Sequence, residues 1–257
     1  MKRVSKKTSK NKNKKIRLII IGLFIVFAVT IMSIKLLPTI KKIDVIIEGE
    51  NSSLTKERVL TLSKLKEGDK LYKELRSDIQ KRIEEDPYIK NAKIERDLSG
   101  KLTIKVEERK PAYMINYAGE YIYIDEEGYI LEVNKESNNT SIIIGFITDF
   151  SGLSIGNTKI RLEQEDLKRL EIVNDIFATL KSNNVENKIT SVDVTDNKNF
   201  ILNLEDDEKS VYLGDATDLN TRILYMKQIL QAETGNKGVI YINNDLDEGY
   251  VYFKEQE

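Results

Sequence analysis

Seventeen consecutive residues without a charge, Leu18 to Ile34, constrain this chain more than any other feature, and the apolar character resumes after Lys35 with Leu36 and Leu37. A helix that is hydrophobic all round has to be covered on every side, by a large core or by lipid. At about 1.5 Å per residue the segment 18–37 spans roughly 30 Å, the hydrocarbon thickness of a bilayer. Lys35 has a stem long enough to carry its ammonium to the headgroups. One membrane crossing is therefore predicted over 18–37. A signal peptide would have an apolar stretch of about 7 to 15 residues ending at small residues. Here the run is longer and leads into Met32-Ser33-Ile34-Lys35-Leu36-Leu37-Pro38, so an uncleaved anchor fits better than a cleaved leader or a buried core helix.

The flanks give the anchor a direction. Nine basic and no acidic residues precede Leu18, interleaved with Ser, Thr and Asn. Such a segment cannot bury a core and is expected to be a disordered tail over 1–17. The positive-inside rule places that tail in the cytoplasm and the rest of the chain outside. Nucleic acid is a poorer match for the tail than anionic lipid at the membrane surface. Gly22 and Ala28 are small enough for close helix approach, but their six-residue spacing is not that of a strong pairing motif.

Taking those nine from the 41 basic residues leaves 32 against 42 acidic ones, so the remainder carries a formal charge of −10. There is no Cys and no His. The expected outer part is then no disulfide scaffold, and zinc sites of the usual ligand set or Ser-His and Cys-His nucleophiles are excluded. About 220 residues follow the anchor, enough for one large or two small domains.

The first of these is legible in order. Ile43–Glu48 is a β-branched run closed by Gly49, and Asn51-Ser52-Ser53-Leu54-Thr55 offers cap residues to a helix over Lys56–Ser63. Leu71, Leu75, Ile79 and Ile83 then recur every four residues, predicting a second helix that Pro87 ends. Ala92 and Ile94, the turn Asp97–Gly100, and Leu102, Ile104 and Val106 predict a hairpin. Each strand has one apolar and one charged face, as a small sheet covered on one side by two helices requires.

The order strand, helix, helix, strand, strand resembles a POTRA domain, here over 38–110. The sequence leaving it, Val106-Glu107-Glu108-Arg109-Lys110-Pro111-Ala112-Tyr113, is similar to the V-x-E-R-x-P-x-A stretch of the FtsQ/DivIB family. Tyr123-Ile124-Asp125-Glu126-Glu127-Gly128-Tyr129-Ile130-Leu131 is similar to that family's strand-D-x-x-G-strand hairpin. Read from its residues alone, the Glu-Arg-Lys-Pro segment is a domain hinge with solvated charges.

Residues 111–257 are expected to form a mixed, β-rich domain, which makes the whole α+β. Strands are predicted at Ala112–Tyr117, Glu120–Asp125, Tyr129–Val133, Ile142–Phe146, Ile189–Thr195, Phe200–Leu204, Ser210–Leu213, Val239–Asn243 and Tyr250–Lys254. Helices are predicted over Gln164–Asn183 and Leu219–Glu233. The three short strands Ile189–Thr195, Phe200–Leu204 and Ser210–Leu213 read as a meander.

No catalytic machinery emerges. The triplets Asp125-Glu126-Glu127 and Asp206-Asp207-Glu208 are the only clusters suggesting paired carboxylates, and both sit where hairpin turns call for polar residues. No phosphate-cradling glycine motif is present, and the glycan-acceptor patterns at Asn51 and Asn139 are expected by chance in this composition. Neither catalysis, cofactor, metal nor small-molecule substrate is expected. What remains is surface. Tyr250 and Tyr252 face one side of the last strand and Val251 and Phe253 the other, and a terminal strand at a sheet edge offers unpaired backbone groups to another chain. The family resemblance implies that Tyr250, Val251, Tyr252 and Phe253, with Tyr225 on the preceding helix, receive a strand from coiled-coil division proteins of the DivIC/FtsB and FtsL type. It implies a non-catalytic scaffold at the septal membrane that helps regulate peptidoglycan synthesis. The absence of Trp excludes a tryptophan-anchored contact. Two other classes stay open: a POTRA-bearing secretion component, for which only one module and no barrel pattern is found, and a membrane-tethered carboxylate enzyme acting on wall glycan.

Overall fold

The computed structural model describes residues 9–35, 38–49, 52–138, 140–151, 159–204, 208–243 and 251–256. Helix α1 spans Ser9–Lys35. It begins inside the segment expected to be a disordered tail, because Lys and Arg are good helix formers and an apolar helix already nucleated propagates into them easily. Of its side chains, those of 16–29 are described, and all are exposed, Phe24 at 71%. Among the described residues no helix is long and apolar enough to cross a membrane. The predicted span runs past them at Leu36 and Leu37.

Strand β1 (Lys42–Glu48), helices α2 (Lys56–Ser63) and α3 (Arg76–Glu84), and strands β2 (Ile89–Arg96) and β3 (Lys101–Glu108) form the first unit. Its sheet has the order β1-β3-β2, with β1 parallel and β2 antiparallel to β3. Val45, Ala92, Ile94, Leu102, Ile104 and Val106 from the sheet meet Val59, Ile79 and Ile83 from the helices in one core. The Thr55 hydroxyl caps α2 by accepting from the Arg58 amide at 3.2 Å. Arg58 in turn grips Asp86 with two bonds of 2.8 and 2.9 Å, tying α2 to the turn before β2.

The four-residue repeat predicts too long a second helix. Leu71 is buried but lies outside α3, and Leu75 is exposed at its N-terminal boundary. The backbone explains the difference: the amide of Leu71 donates to Pro38, that of Ile40 to Asp69 and that of Gly68 to Ile40. Residues 68–71 are thus paired with the entry to β1, and those tertiary bonds outweigh a local helical pattern.

The second unit holds a ten-stranded sheet of order β13-β12-β11-β10-β9-β7-β4-β5-β6-β8. In chain order these are β4 (Tyr113–Tyr117), β5 (Glu120–Ile124), β6 (Tyr129–Asn134), β7 (Ile142–Ile144), β8 (Ile160–Arg161), β9 (Ile189–Asp193), β10 (Phe200–Leu204), β11 (Lys209–Gly214), β12 (Gly238–Tyr241) and β13 (Tyr252–Glu255). Helices α4 (Gln164–Ser182) and α5 (Leu219–Ala232) cover one face. Leu170, Val173, Ile176 and Leu180 of α4, with Ile223, Met226 and Leu230 of α5, pack on Ile122, Ile143, Val192, Leu202, Val211 and Ile240 in a single core. The predicted meander is present as β9, β10 and β11, paired antiparallel in succession. Each long helix returns the chain to a parallel strand: β9 runs parallel to β7 after α4, and β12 parallel to β11 after α5.

A sheet edge and a charged junction

The antiparallel pairing of β13 on β12 sets the register at the end of the large sheet, with Val239 opposite Lys254, Ile240 opposite Phe253 and Tyr241 opposite Tyr252. Because side chains alternate, Val251 and Phe253 turn toward the core, while Tyr252 lies on the face without helices and is 46% exposed. Tyr212, Tyr241 and Tyr252 are successive register partners on β11, β12 and β13. Their rings stack at centroid distances of 5.1 and 4.8 Å, worth about 0.5–1.5 kcal/mol per pair beyond area burial. The ladder ends on the outer side of Tyr252. β13 closes the strand order, so its outer backbone edge pairs with no strand among the described residues.

Two residues hold this edge in place. At Gly238 a Cβ would meet the Lys254 carbonyl and come 2.7 Å from the Phe253 ring, so only glycine lets β13 lie this close. Arg222 on α5 is buried, and its guanidinium donates to the carbonyls of Thr217 at 2.9 Å, of Leu213 at 3.2 Å and of Ile242. It fastens the ends of β11 and β12 to the helix. Neither residue is visible in the pattern of the sequence. Adjacency of the tyrosines follows only from a register that α5 imposes by returning the chain in parallel.

Of the residues expected to bind a partner, Tyr252 and Phe253 open β13 and Val251 immediately precedes it, with Tyr252 on one face and Val251 and Phe253 on the other. Tyr250 lies outside the described residues. Tyr225 is exposed on α5, on the helix-bearing side of the sheet, so the structure does not bring it together with Tyr252.

The acidic turn Asp125–Glu127 is less solvated than its sequence suggests. Asp125 is buried and accepts from the amides of Glu127 and Tyr129 at 3.1 and 2.8 Å, as a turn residue should. It also binds Arg109, which is itself buried and donates to Glu127 at 2.9 Å. The Lys90 ammonium, seconded by Arg109, holds the Glu127 carboxyl below its usual range. A carboxyl held ionised by two cations is a poor proton donor. In the other triplet, Asp206 and Asp207 lie outside the described residues, as do Asn51 and Asn139.

A three-stranded sheet backed by two helices, followed by a large mixed sheet whose outermost strand β13 has no strand beyond it among the described residues, defines a two-module protein of the POTRA-bearing kind. Residues 40–109 match the family described as POTRA domain, FtsQ-type, and residues 112–246 match Cell division protein FtsQ/DivIB, C-terminal. The chain belongs to the FtsQ/DivIB family of cell division proteins. It is 33% identical to Cell division protein DivIB of Clostridium acetobutylicum over 151 residues, 58% of this chain and 57% of that one. It is 26% identical to the DivIB of Clostridium botulinum strain Hall over 187 residues, covering 72% and 71% of the two chains. Against Bacillus subtilis DivIB the identity is 21% over 98% of this chain and 89% of the relative. The first match thus spans little more than half the relative's length.

Proposed function

We propose that this protein is a non-catalytic scaffold of the bacterial divisome, anchored through 18–37 with the basic tail in the cytoplasm and the two modules outside, enriched at the septum. Membership of a family of cell division proteins supports the divisome role. The observation that carries the binding role is the outer edge of β13, where backbone donors and acceptors stand beside the exposed end of the tyrosine ladder. An added strand gains main-chain bonds there, and alternate side-chain positions give it selectivity. The partners are small coiled-coil proteins of the DivIC/FtsB and FtsL type, and gathering them regulates septal peptidoglycan synthesis. Confinement of both partners to one membrane raises their effective concentration and compensates for a short strand.

The test is capture of a DivIC-type protein by the chain and by its Tyr252→Lys and Tyr252→Lys/Phe253→Lys variants, with circular dichroism as a control on folding. Tyr252→Lys should weaken capture by about tenfold or more, as loss of an interface aromatic does. Undiminished capture by the folded double variant would refute the placement of the site. A tagged chain spread uniformly over the membrane of dividing cells would refute the septal role.

A further inference from the structure

The passage from the POTRA domain to the large sheet looks like a hinge in sequence, yet it is short and filled. The amide of Arg109 still donates within the first module, to Tyr88 at 2.8 Å, and the amide of Ala112 already donates within the second, to Ile124 at 2.8 Å. Only Lys110 and Pro111 separate these two bonds, and the proline has its φ fixed by the ring. Beside this link the Arg109 side chain, 4% exposed, reaches Asp125 and Glu127 on the turn between β5 and β6. Its guanidinium carbon lies 3.8 Å from the centroid of Tyr129, and Arg161 of β8 approaches the same ring at 5.3 Å. The POTRA domain sends a second cation to that turn, Lys90 of β2, which is 2.9 Å from Glu127. Farther along the boundary, burial and the neighbouring Glu132 carboxylate of β6 push the pKa of the Tyr88 hydroxyl up.

We infer that Arg109 is an electrostatic latch that locks the POTRA domain and the large-sheet domain in one orientation, making their junction a rigid joint. Two cations from one module converge on a single turn of the other, so rotation about Lys110 and Pro111 would separate both at once. The Arg109 and Asp125 side chains are shielded from water, so solvent screens the pair little. Loss of Arg109 would leave Asp125 buried with only the two turn amides, and loss of Asp125 would leave Arg109 held by Glu127 alone among the described carboxylates. This inference is independent of the partner-binding reading.

The absence of cysteine makes the joint directly measurable. Leu98, exposed in the turn between β2 and β3, and Lys198, exposed between β9 and β10, are replaced by cysteine and spin-labelled in the 257-residue chain in detergent. Interspin distances are then read by double electron–electron resonance. Strand β3 gives Leu98 a lever of about 26 Å from the joint, so a swing of roughly 20° moves it by about 9 Å. The parent should give one narrow distance distribution. Arg109→Gln should broaden or shift it by several ångströms. Asp125→Asn/Glu127→Gln should do the same, because the Asn oxygen still accepts the two turn amides. If Arg109→Gln loses its circular dichroism signal, the acidic pair decides alone. A parent distribution already broad, or a folded latch variant with unchanged width, would overturn the inference.

Discussion

Arg222 offers a test of how the binding edge is held. A cation near the N-terminal end of α5 opposes the helix dipole; the three carbonyls it binds at Thr217, Leu213 and Ile242 and the Asp215 carboxylate at 3.7 Å offset that. Arg222→Met keeps an apolar stem of similar length and removes the donors. Each carbonyl retains a second lone pair, so the loss per group falls at the low end of the range for an unmade bond, about 1 kcal/mol. The sum, about 3 kcal/mol, corresponds to a fall in melting temperature of roughly 6–12 °C for a domain of this size. The damage should concentrate at the end of β12, where the Ile242 amide donates to Tyr212 at 2.9 Å. Hydrogen exchange there should accelerate by about a hundredfold. Melting within about 2 °C of the parent, with unchanged exchange at Ile242, would refute the view that this guanidinium fastens the strand ends.

Gly238→Ala should push β13 away from β12, lowering partner capture by about tenfold while melting changes by only a few degrees, since β13 carries little of the core. Retained capture would show that the edge tolerates the displacement. Glu127 gives a pH signature. Held below its usual range by Lys90 and Arg109, it stabilises the fold fully above its free pKa of about 4.3, and this contribution disappears as pH falls through the lower folded value. Glu127→Gln should flatten the stability profile between about pH 5 and pH 3; a profile parallel to the parent's would contradict the assignment.

The POTRA strands and helix α2 were legible because Val45, Val59, Ile94, Leu102, Ile104 and Val106 sit at clean local periods. Leu71 and Leu75 mislead because a period of four is local, whereas the bonds from 68–71 to 38–40 are not. Along the large sheet nearly every strand could be placed, but their neighbours could not. Pattern assigns residues to faces; it does not say that a helix will bring β12 back parallel to β11 and so set Tyr241 between Tyr212 and Tyr252. The edge position of Tyr252 and Phe253 and their faces were read from a terminal alternating strand, and the family resemblance supplied only the role expected of them. Arg109 was misjudged because a charge between two elements looks solvated until the hairpin that covers it is known, and the signal available was Asp125 and Glu127 on a turn of opposite sign.

The two ends of the large sheet are unequal. β8, two residues long, with the Arg161 side chain folded back to donate to the Glu127 carbonyl at 2.8 Å, is too short to template another strand. β13 can. Two copies meeting through β13 would form a closed, two-fold pair using the same surface on each, and growth would stop there. On the scaffold reading proposed above, a strand from a different protein would take that very edge, so self-pairing and heterologous capture would be mutually exclusive states of one chain, with the concentration of the partner setting which of them is occupied.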